Sequence, residues 1–280
     1  MSKLTIENIR TKKGKEKIVI LTCYDYSFAK ALDEAGLDMI MVGDSLANVV
    51  LGLGQTREVA FEEMLSHTKA VAKAAKNTLV IADMPFDSCH KGVNQALKDA
   101  KAFIQAGAGA VKVEWFRGCQ NIIKKLIQNK IPVMGHVGLT PQTAHLLGGF
   151  KVQGKDKESA LNMIKQAKTL EKLGIFSLVL ECVPLQLSKF ITENVSMPTI
   201  GIGAGKFCDG QVLVLYDVIG LYRNISLKFV RRYGDFFSQT KKIALDFIAD
   251  VKKDNFPGEK ESFLMADEEW DDLAGGFLCP

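Results

Sequence analysis

The polar residues that close short apolar runs are where this sequence first suggests chemistry. Asp44 and Ser45 end DMIMVGDS, Asp83 ends TLVIAD, Lys112 and Glu114 end AVKVE, His136 lies in IPVMGHVG, and Glu181 ends FSLVLE. Taken singly, each carboxylate suits a helix N-cap or a structural ion pair as well as a site. Gathered at one place, Asp44, Asp83, Glu114 and Glu181 need a cation or raised pKa values to coexist. Ligands that are all oxygen favour a hard ion, Mg²⁺ before Zn²⁺. Such an ion, held by a few carboxylates with open positions, can chelate a 2-oxo acid through its carboxylate and carbonyl oxygens and acidify the neighbouring C–H. Glu181 is then the expected general base, while Lys112 and Ser45 neutralise and hydrogen-bond the substrate carboxylate. Lys112 also suits an internal salt bridge to Glu114, two residues on and on the same side of a strand. His136 is read first as satisfying a backbone group and second as orienting a ligand.

These residues share one face only if the runs that carry them are parallel strands. Eight runs rich in β-formers recur, at 18–24, 38–45, 78–84, 110–115, 131–138, 176–182, 198–205 and 211–217, and they suit strands buried on both faces. Amphipathic stretches of helical length, such as VNQALKDAKAFIQAG and ESALNMIKQAKTLEKLG, separate most of them. Gly36, Gly107 and Gly174 each stand between a helix and the next strand, as left-handed caps would. The expected fold is therefore an α/β chain closed as a (β/α)₈ TIM barrel, whose active face is the C-terminal ends of its strands. Only KFCDG separates the last two runs, so a seventh helix is missing or displaced. The stretch 46–63, with Gly52 and Gly54 framing Leu53 and Thr56 placed to cap the following helix, suits a lid over the mouth or a plain surface loop. After Tyr216 the pattern becomes a helical extension, TKKIALDFIADVKK, and then the acidic, poorly periodic EKESFLMADEEWDDLAGGFLCP. The expected organisation is one catalytic barrel over 1–255 with its terminal helices, and an acidic tail over 256–280 that is solvated and frayed or docks on a neighbouring subunit.

Composition removes several other classes. In 280 residues, 36 Lys and Arg face 32 Asp and Glu, and a dispersed net charge of +4 is no nucleic-acid footprint. No run approaches the ~18 apolar residues of a membrane span, and MSKLTIENIRTKKGKEK lacks a signal peptide's apolar segment, so no membrane role and a cytoplasmic location are expected. The six cysteines form no C-x-x-C pair, which fits reduced thiols rather than zinc or disulfide scaffolds. A Walker phosphate loop is absent, and Gly201-Ile-Gly-Ala-Gly205 carries Lys206 where a dinucleotide fingerprint needs its third glycine.

The motifs LTCYDYSFAK, VGDS, ADMPF, AGAGAVKVE, GHVGLTPQ, LVLECVP and IGIGAG followed by CDGQVLV appear in this order between about residues 5 and 263. In them the sequence closely resembles the ketopantoate hydroxymethyltransferases. The resemblance implies a barrel of the phosphoenolpyruvate/pyruvate type that assembles into homo-oligomers, decamers, and acts on small molecules. It implies Mg²⁺-dependent hydroxymethyl transfer from 5,10-methylenetetrahydrofolate to 3-methyl-2-oxobutanoate, giving 2-dehydropantoate for pantothenate synthesis. It also places metal ligands on Asp44, Asp83 and Glu114, substrate contacts on Asp44, Ser45, Asp83 and Lys112, and the base on Glu181. Three departures stand out: Trp115-Phe116 and Asp87 replace glycines usual in the family, and a histidine usual near FPGEKESF is missing. Bulk at 115 is expected to narrow the pocket, and Asp87 to add negative charge near the mouth. A Mg²⁺-dependent carbon–carbon lyase acting on another 2-oxo acid would use the same residues, as would a non-catalytic 2-oxo-acid- or folate-binding barrel.

Overall fold

The computed structural model describes residues 3–149, 151–224 and 227–278. The eight runs form strands β1 (Ile18–Thr22), β2 (Met39–Val42), β3 (Leu79–Asp83), β4 (Ala110–Glu114), β5 (Val133–Gly138), β6 (Ser177–Glu181), β7 (Thr199–Ile202) and β8 (Gly210–Leu213). They are parallel and close in chain order, β8 pairing with β1 through Ile18 opposite Gly210.

Alternation along each strand builds two apolar layers, because successive side chains point to opposite faces. Inward residues, among them Ile20, Met39, Ile81, Met134, Val179 and Val212, fill the barrel. Outward residues, including Ile40, Val80, Val111 and Leu178, meet the helices through Val71, Phe103, Ile123 and Leu170. Strands buried on both faces therefore read as continuous apolar runs. Along the inward rows the residue type changes toward the C-terminal end: Leu79–Ile81–Asp83 on β3, Ala110–Lys112–Glu114 on β4 and Met134–His136 on β5. The polar layer is thus the top of the barrel's own core.

Gly36, Gly107 and Gly174 all carry left-handed backbone, as expected of helix ends. Residues 203–209, between β7 and β8, contain no helix. Thr56 does not cap the helix Phe61–Ala74. That start is Ala60, whose N–H donates to the Glu63 side chain at 3.0 Å, while Thr56 is buried in its own short turn.

The chain divides into two compact units, residues 1–233 and 234–280. The boundary expected at 255 falls inside the second unit, where Phe247 on the helix Phe236–Lys252 packs edge-on against Phe256, ring centroids 5.3 Å apart. The tail expected to be frayed contains the helix Asp267–Leu278, with Asp267, Glu268 and Glu269 in its first turn, where negative charge complements the helix dipole. Among the described residues no helix is long and apolar enough to cross a membrane.

Candidate active site

A cavity of about 350 Å³ opens at the C-terminal strand ends, and Asp44, Ser45, Asp83, Lys112, Glu114, His136 and Glu181 all line it. Strand register makes these residues neighbours: Asp83 is opposite Lys112, and Glu114 is opposite His136. Glu181 is placed by backbone contact. Leu139 N–H donates to its carbonyl at 2.9 Å, and a Cβ on Gly138 would lie 2.2 Å from that oxygen, so glycine is required in GHVG for β5 to approach β6. Cys182, immediately after the glutamate, holds a left-handed φ of +48°, a strained conformation for a residue with a Cβ.

Lys112 Nζ is the central cation. It lies 2.8 Å from Asp83 Oδ2 and 4.0 Å from Glu114 Oε1, so its close partner is Asp83 rather than the Glu114 suggested by spacing along the strand. Asp83 Oδ2 also accepts the Asp44 N–H at 3.3 Å, and Glu114 Oε2 accepts the Gln142 N–H at 3.3 Å. His136 sits inside this cluster. Its Nδ1 is 3.4 Å from Lys112 Nζ and 3.6 Å from Glu114 Oε1, and its Nε2 is 3.2 Å from Glu181 Oε2 without hydrogen-bond alignment.

Burial raises the Asp83 carboxyl to about 7, with Lys112 opposing and Asp44 adding to the rise. Burial likewise takes Glu181 up to about 8, again against Lys112 and with Asp44. Glu114 moves well above the usual carboxylate range, chiefly by desolvation. Desolvation and then the Lys112 charge push His136 well below its ordinary value, so the ring is neutral at pH 7. Lys112 stays protonated because its carboxylate neighbours outweigh the cost of burying it.

Three carboxylate oxygens, Asp44 Oδ2, Asp83 Oδ1 and Glu114 Oε1, are buried without a hydrogen-bond partner. Orphaned buried acceptors are expensive, and all three are the hard donors that Mg²⁺ prefers. Among the described residues no three His, Cys, Asp or Glu side chains converge tightly enough to hold an ion unaided.

A sequence model of the family described as ketopantoate hydroxymethyltransferase matches residues 3–259. The chain belongs to the ketopantoate hydroxymethyltransferase family. It is 46% identical over 275 residues to the 3-methyl-2-oxobutanoate hydroxymethyltransferase of Syntrophomonas wolfei, covering 98% of this chain and 100% of that one. It is 51% identical over 260 residues to the enzyme of the same name from Clostridium kluyveri, covering 92% and 93%. Among solved structures, a phosphonopyruvate hydrolase superposes with a TM-score of 0.61 at 13% identity, covering 99% of this chain and 96% of that one. A 2,3-dimethylmalate lyase gives 0.58 at 14%, covering 98% and 96%, and both likenesses concern the fold alone. Family membership makes the protein a hydroxymethyltransferase of pantothenate biosynthesis.

Four further residues that strand-end reasoning passed over meet the site, two of them in the family motifs. Tyr24, in LTCYDYSFAK, shares a 2.7 Å hydrogen bond with Ser45 Oγ. Gln142, in GHVGLTPQ, donates its side-chain amide to the Met84 carbonyl at 3.1 Å while its N–H meets Glu114. Thr56 lines the cavity with a buried, unpartnered hydroxyl. Phe229, after β8, also lines the cavity and packs so closely on Gly203 that a Cβ there would sit 2.8 Å from its ring.

Two expectations about the departures are corrected. Trp115 is not in the lining of this cavity. It leans on the outer apolar layer and faces a separate groove with Asn162 and Gln166, because inward Glu114 forces its neighbour outward. Asp87 is 63% exposed and paired with Lys91 at 2.6 Å, one helical turn on, so its charge is answered at the surface.

Proposed function

We propose that this barrel transfers a hydroxymethyl group from 5,10-methylenetetrahydrofolate to 3-methyl-2-oxobutanoate, forming 2-dehydropantoate with Mg²⁺ as cofactor. The observation that carries the reading is Glu181, at the end of β6, lining the same cavity as three carboxylate oxygens that are buried without a partner. Asp44, Asp83 and Glu114 would hold the Mg²⁺, in part through water. A solved phosphonopyruvate hydrolase with Mg²⁺ and oxalate, a small dicarboxylate, shares the fold at a TM-score of 0.60.

When bound, Mg²⁺ withdraws electron density from the 2-oxo group and acidifies the adjacent C–H. The chain's residues do the rest. Lys112, ionised at the centre of the cluster, meets the substrate carboxylate together with Ser45, while Asp44 and Asp83 complete the substrate contacts. Glu181 takes the C3 proton. Neutral His136, beside Glu181, adds no second cation to Lys112 there. The new carbon–carbon bond joins C3 to the one-carbon unit, water supplies the hydroxyl oxygen, and tetrahydrofolate leaves.

We extend the proposal to a cytoplasmic homo-oligomer, a decamer. The apolar residues Ile243, Phe247, Ile248 and Val251 of the helix Phe236–Lys252 are the first candidates for a subunit contact. The deciding experiment is formation of 2-dehydropantoate from the two substrates. Product that appears only with both Mg²⁺ and the folate donor supports the reading, and trace retro-aldol cleavage without folate would replace it with a lyase.

A further inference from the structure

The motif LTCYDYSFAK meets the cavity at Thr22, with the buried Tyr24 behind it. Tyr24 is 1% exposed, and its ring packs edge-on against Tyr216 with centroids 5.6 Å apart. Its hydroxyl lies behind the cavity wall, donating to Thr22 Oγ1 at 2.9 Å and joined to Ser45 Oγ at 2.7 Å. Thr22 Oγ1 also accepts the Leu215 N–H at 3.2 Å, so the phenol rests on a hydroxyl fixed by the backbone after β8. Thr22 and Ser45 both line the cavity, and Tyr24 does not.

Ser45 has no such support of its own. It stands at the start of the short helix Leu46–Val49 and makes no side-chain capping bond there. A serine hydroxyl without a partner rotates among its staggered positions, and ordering it on ligand binding costs affinity. A phenol with rigid packing and a second anchor removes that freedom beforehand. Tyr24 is poorly suited to be a general acid or base, because burial moves its hydroxyl further from ionising than a free tyrosine's.

We propose that Tyr24 is a positioning residue for 2-oxo-acid binding: with its own proton on Thr22 it accepts the Ser45 proton before substrate arrives, and when the substrate carboxylate draws that proton the phenol O–H turns from Thr22 to Ser45 Oγ and holds it in place. The inference rests on the reading of Ser45 as a substrate contact. Its test is a double-mutant cycle of Tyr24→Phe and Ser45→Ala, read by the calorimetric Kd of 3-methyl-2-oxobutanoate with Mg²⁺, by KM and kcat, and by thermal melting. Tyr24→Phe should raise Kd and KM about 3- to 10-fold, the worth of one neutral hydrogen bond, with kcat changed less than about twofold. In the Ser45→Ala background the same change should alter Kd by less than about twofold, because the residue it positions is gone. An equal loss in both backgrounds, or none in the wild-type background while Ser45→Ala weakens binding, overturns the role of Tyr24 alone. Unchanged affinity in Ser45→Ala overturns the substrate contact as well. Should Tyr24→Phe melt below the assay temperature, Thr22→Val removes the phenol's other anchor. Its loss of affinity must then also shrink in the Ser45→Ala background for the proposal to stand.

Discussion

The two ends of the barrel treat buried carboxylates in opposite ways. At the N-terminal end Asp209 accepts the Thr199 N–H at 2.8 Å, the Gly14 N–H at 3.1 Å and Lys13 Nζ at 2.9 Å. Asp33 accepts the N–H groups of Asn77 and Thr78 at 2.9 and 2.8 Å. Burial raises both, yet these donors outweigh it and hold both below the usual aspartate value. At the mouth Asp44, Asp83 and Glu114 each keep a buried oxygen with no partner, and burial wins for Asp83, Glu114 and Glu181. The difference lies in supply of donors. One end spends its backbone N–H groups on its carboxylates, and the other leaves oxygens free for a ligand to satisfy.

The largest expected effect is at Glu181. Glu181→Gln keeps its shape and removes its basicity, so product formation should fall by roughly 10²–10⁴ while Mg²⁺ and oxo-acid affinity hold. Exchange of the C3 proton with D₂O in the absence of folate should fall equally, since exchange reads proton removal alone. Wild-type exchange in the variant would move the base to another residue, with His136 next in line.

Next comes a pair of substitutions that sets the two ends against each other. Asp83→Ala should abolish Mg²⁺-dependent oxo-acid binding in calorimetry at a smaller stability cost than Asp209→Ala, because Lys112 loses its 2.8 Å partner but keeps Glu114 at 4.0 Å. Asp209→Ala should do the reverse, costing about 3 kcal/mol as Lys13 and two backbone N–H groups lose their partner. Equal stability losses in the two variants would erase the distinction.

The same contrast predicts the pH dependence of stability in the metal-free protein. Asp83 and Glu181 bind protons more tightly folded than unfolded, to about 7 and about 8, so stability falls as pH rises from the unfolded values through that range. Asp33 and Asp209 bind protons less tightly when folded, so their contribution is present above the unfolded value near 3.8 and is lost as pH falls through their lowered folded values. Melting curves in EDTA should therefore peak in mildly acid buffer. Mg²⁺ with oxo acid should flatten the alkaline limb, and a peak that stays unmoved would contradict the orphaned-oxygen reading.

The barrel was largely legible in the sequence because two-sided burial imposes continuous apolar runs, and polar strand ends at fixed register mark the mouth. Asp209 illustrates the limit. It stands beside an apolar run just as Asp44 does, and only three-dimensional register shows that it faces backbone donors at the opposite end. Tyr24 and Gln142 escaped for a related reason: each acts from behind a residue that touches the cavity, through contacts spanning 21 and 28 residues of sequence. The helix Asp267–Leu278 escaped although Trp270, Leu273, Phe277 and Leu278 fall at helical spacing, because its acidic first turn and Gly275-Gly276 read as a solvated tail.

The smallest effect is expected at Trp115, where bulk beside a metal-site glutamate looked from sequence like an obstruction. Alternation along a strand decides otherwise. Lys112 and Glu114 point into the barrel, and Trp115, one residue on, donates its N–H to the His136 carbonyl at 2.8 Å while its side chain packs against the outer layer. The substitution Trp115→Gly therefore removes a half-buried aromatic from the shell between strand and helix. It should cost about 1–3 kcal/mol of stability, less than the 3–5 kcal/mol of a fully buried tryptophan. Affinities for Mg²⁺, the oxo acid and the folate donor should stay within about twofold of the wild type, because no cavity-lining residue is exchanged. A change in the KM of the folate donor well beyond that, with Mg²⁺ binding intact, would mean that the donor extends past the barrel mouth into the groove that Trp115 shares with Asn162 and Gln166. The boundary between the site and its scaffold would then run one residue further along β4 than its inward-facing row implies.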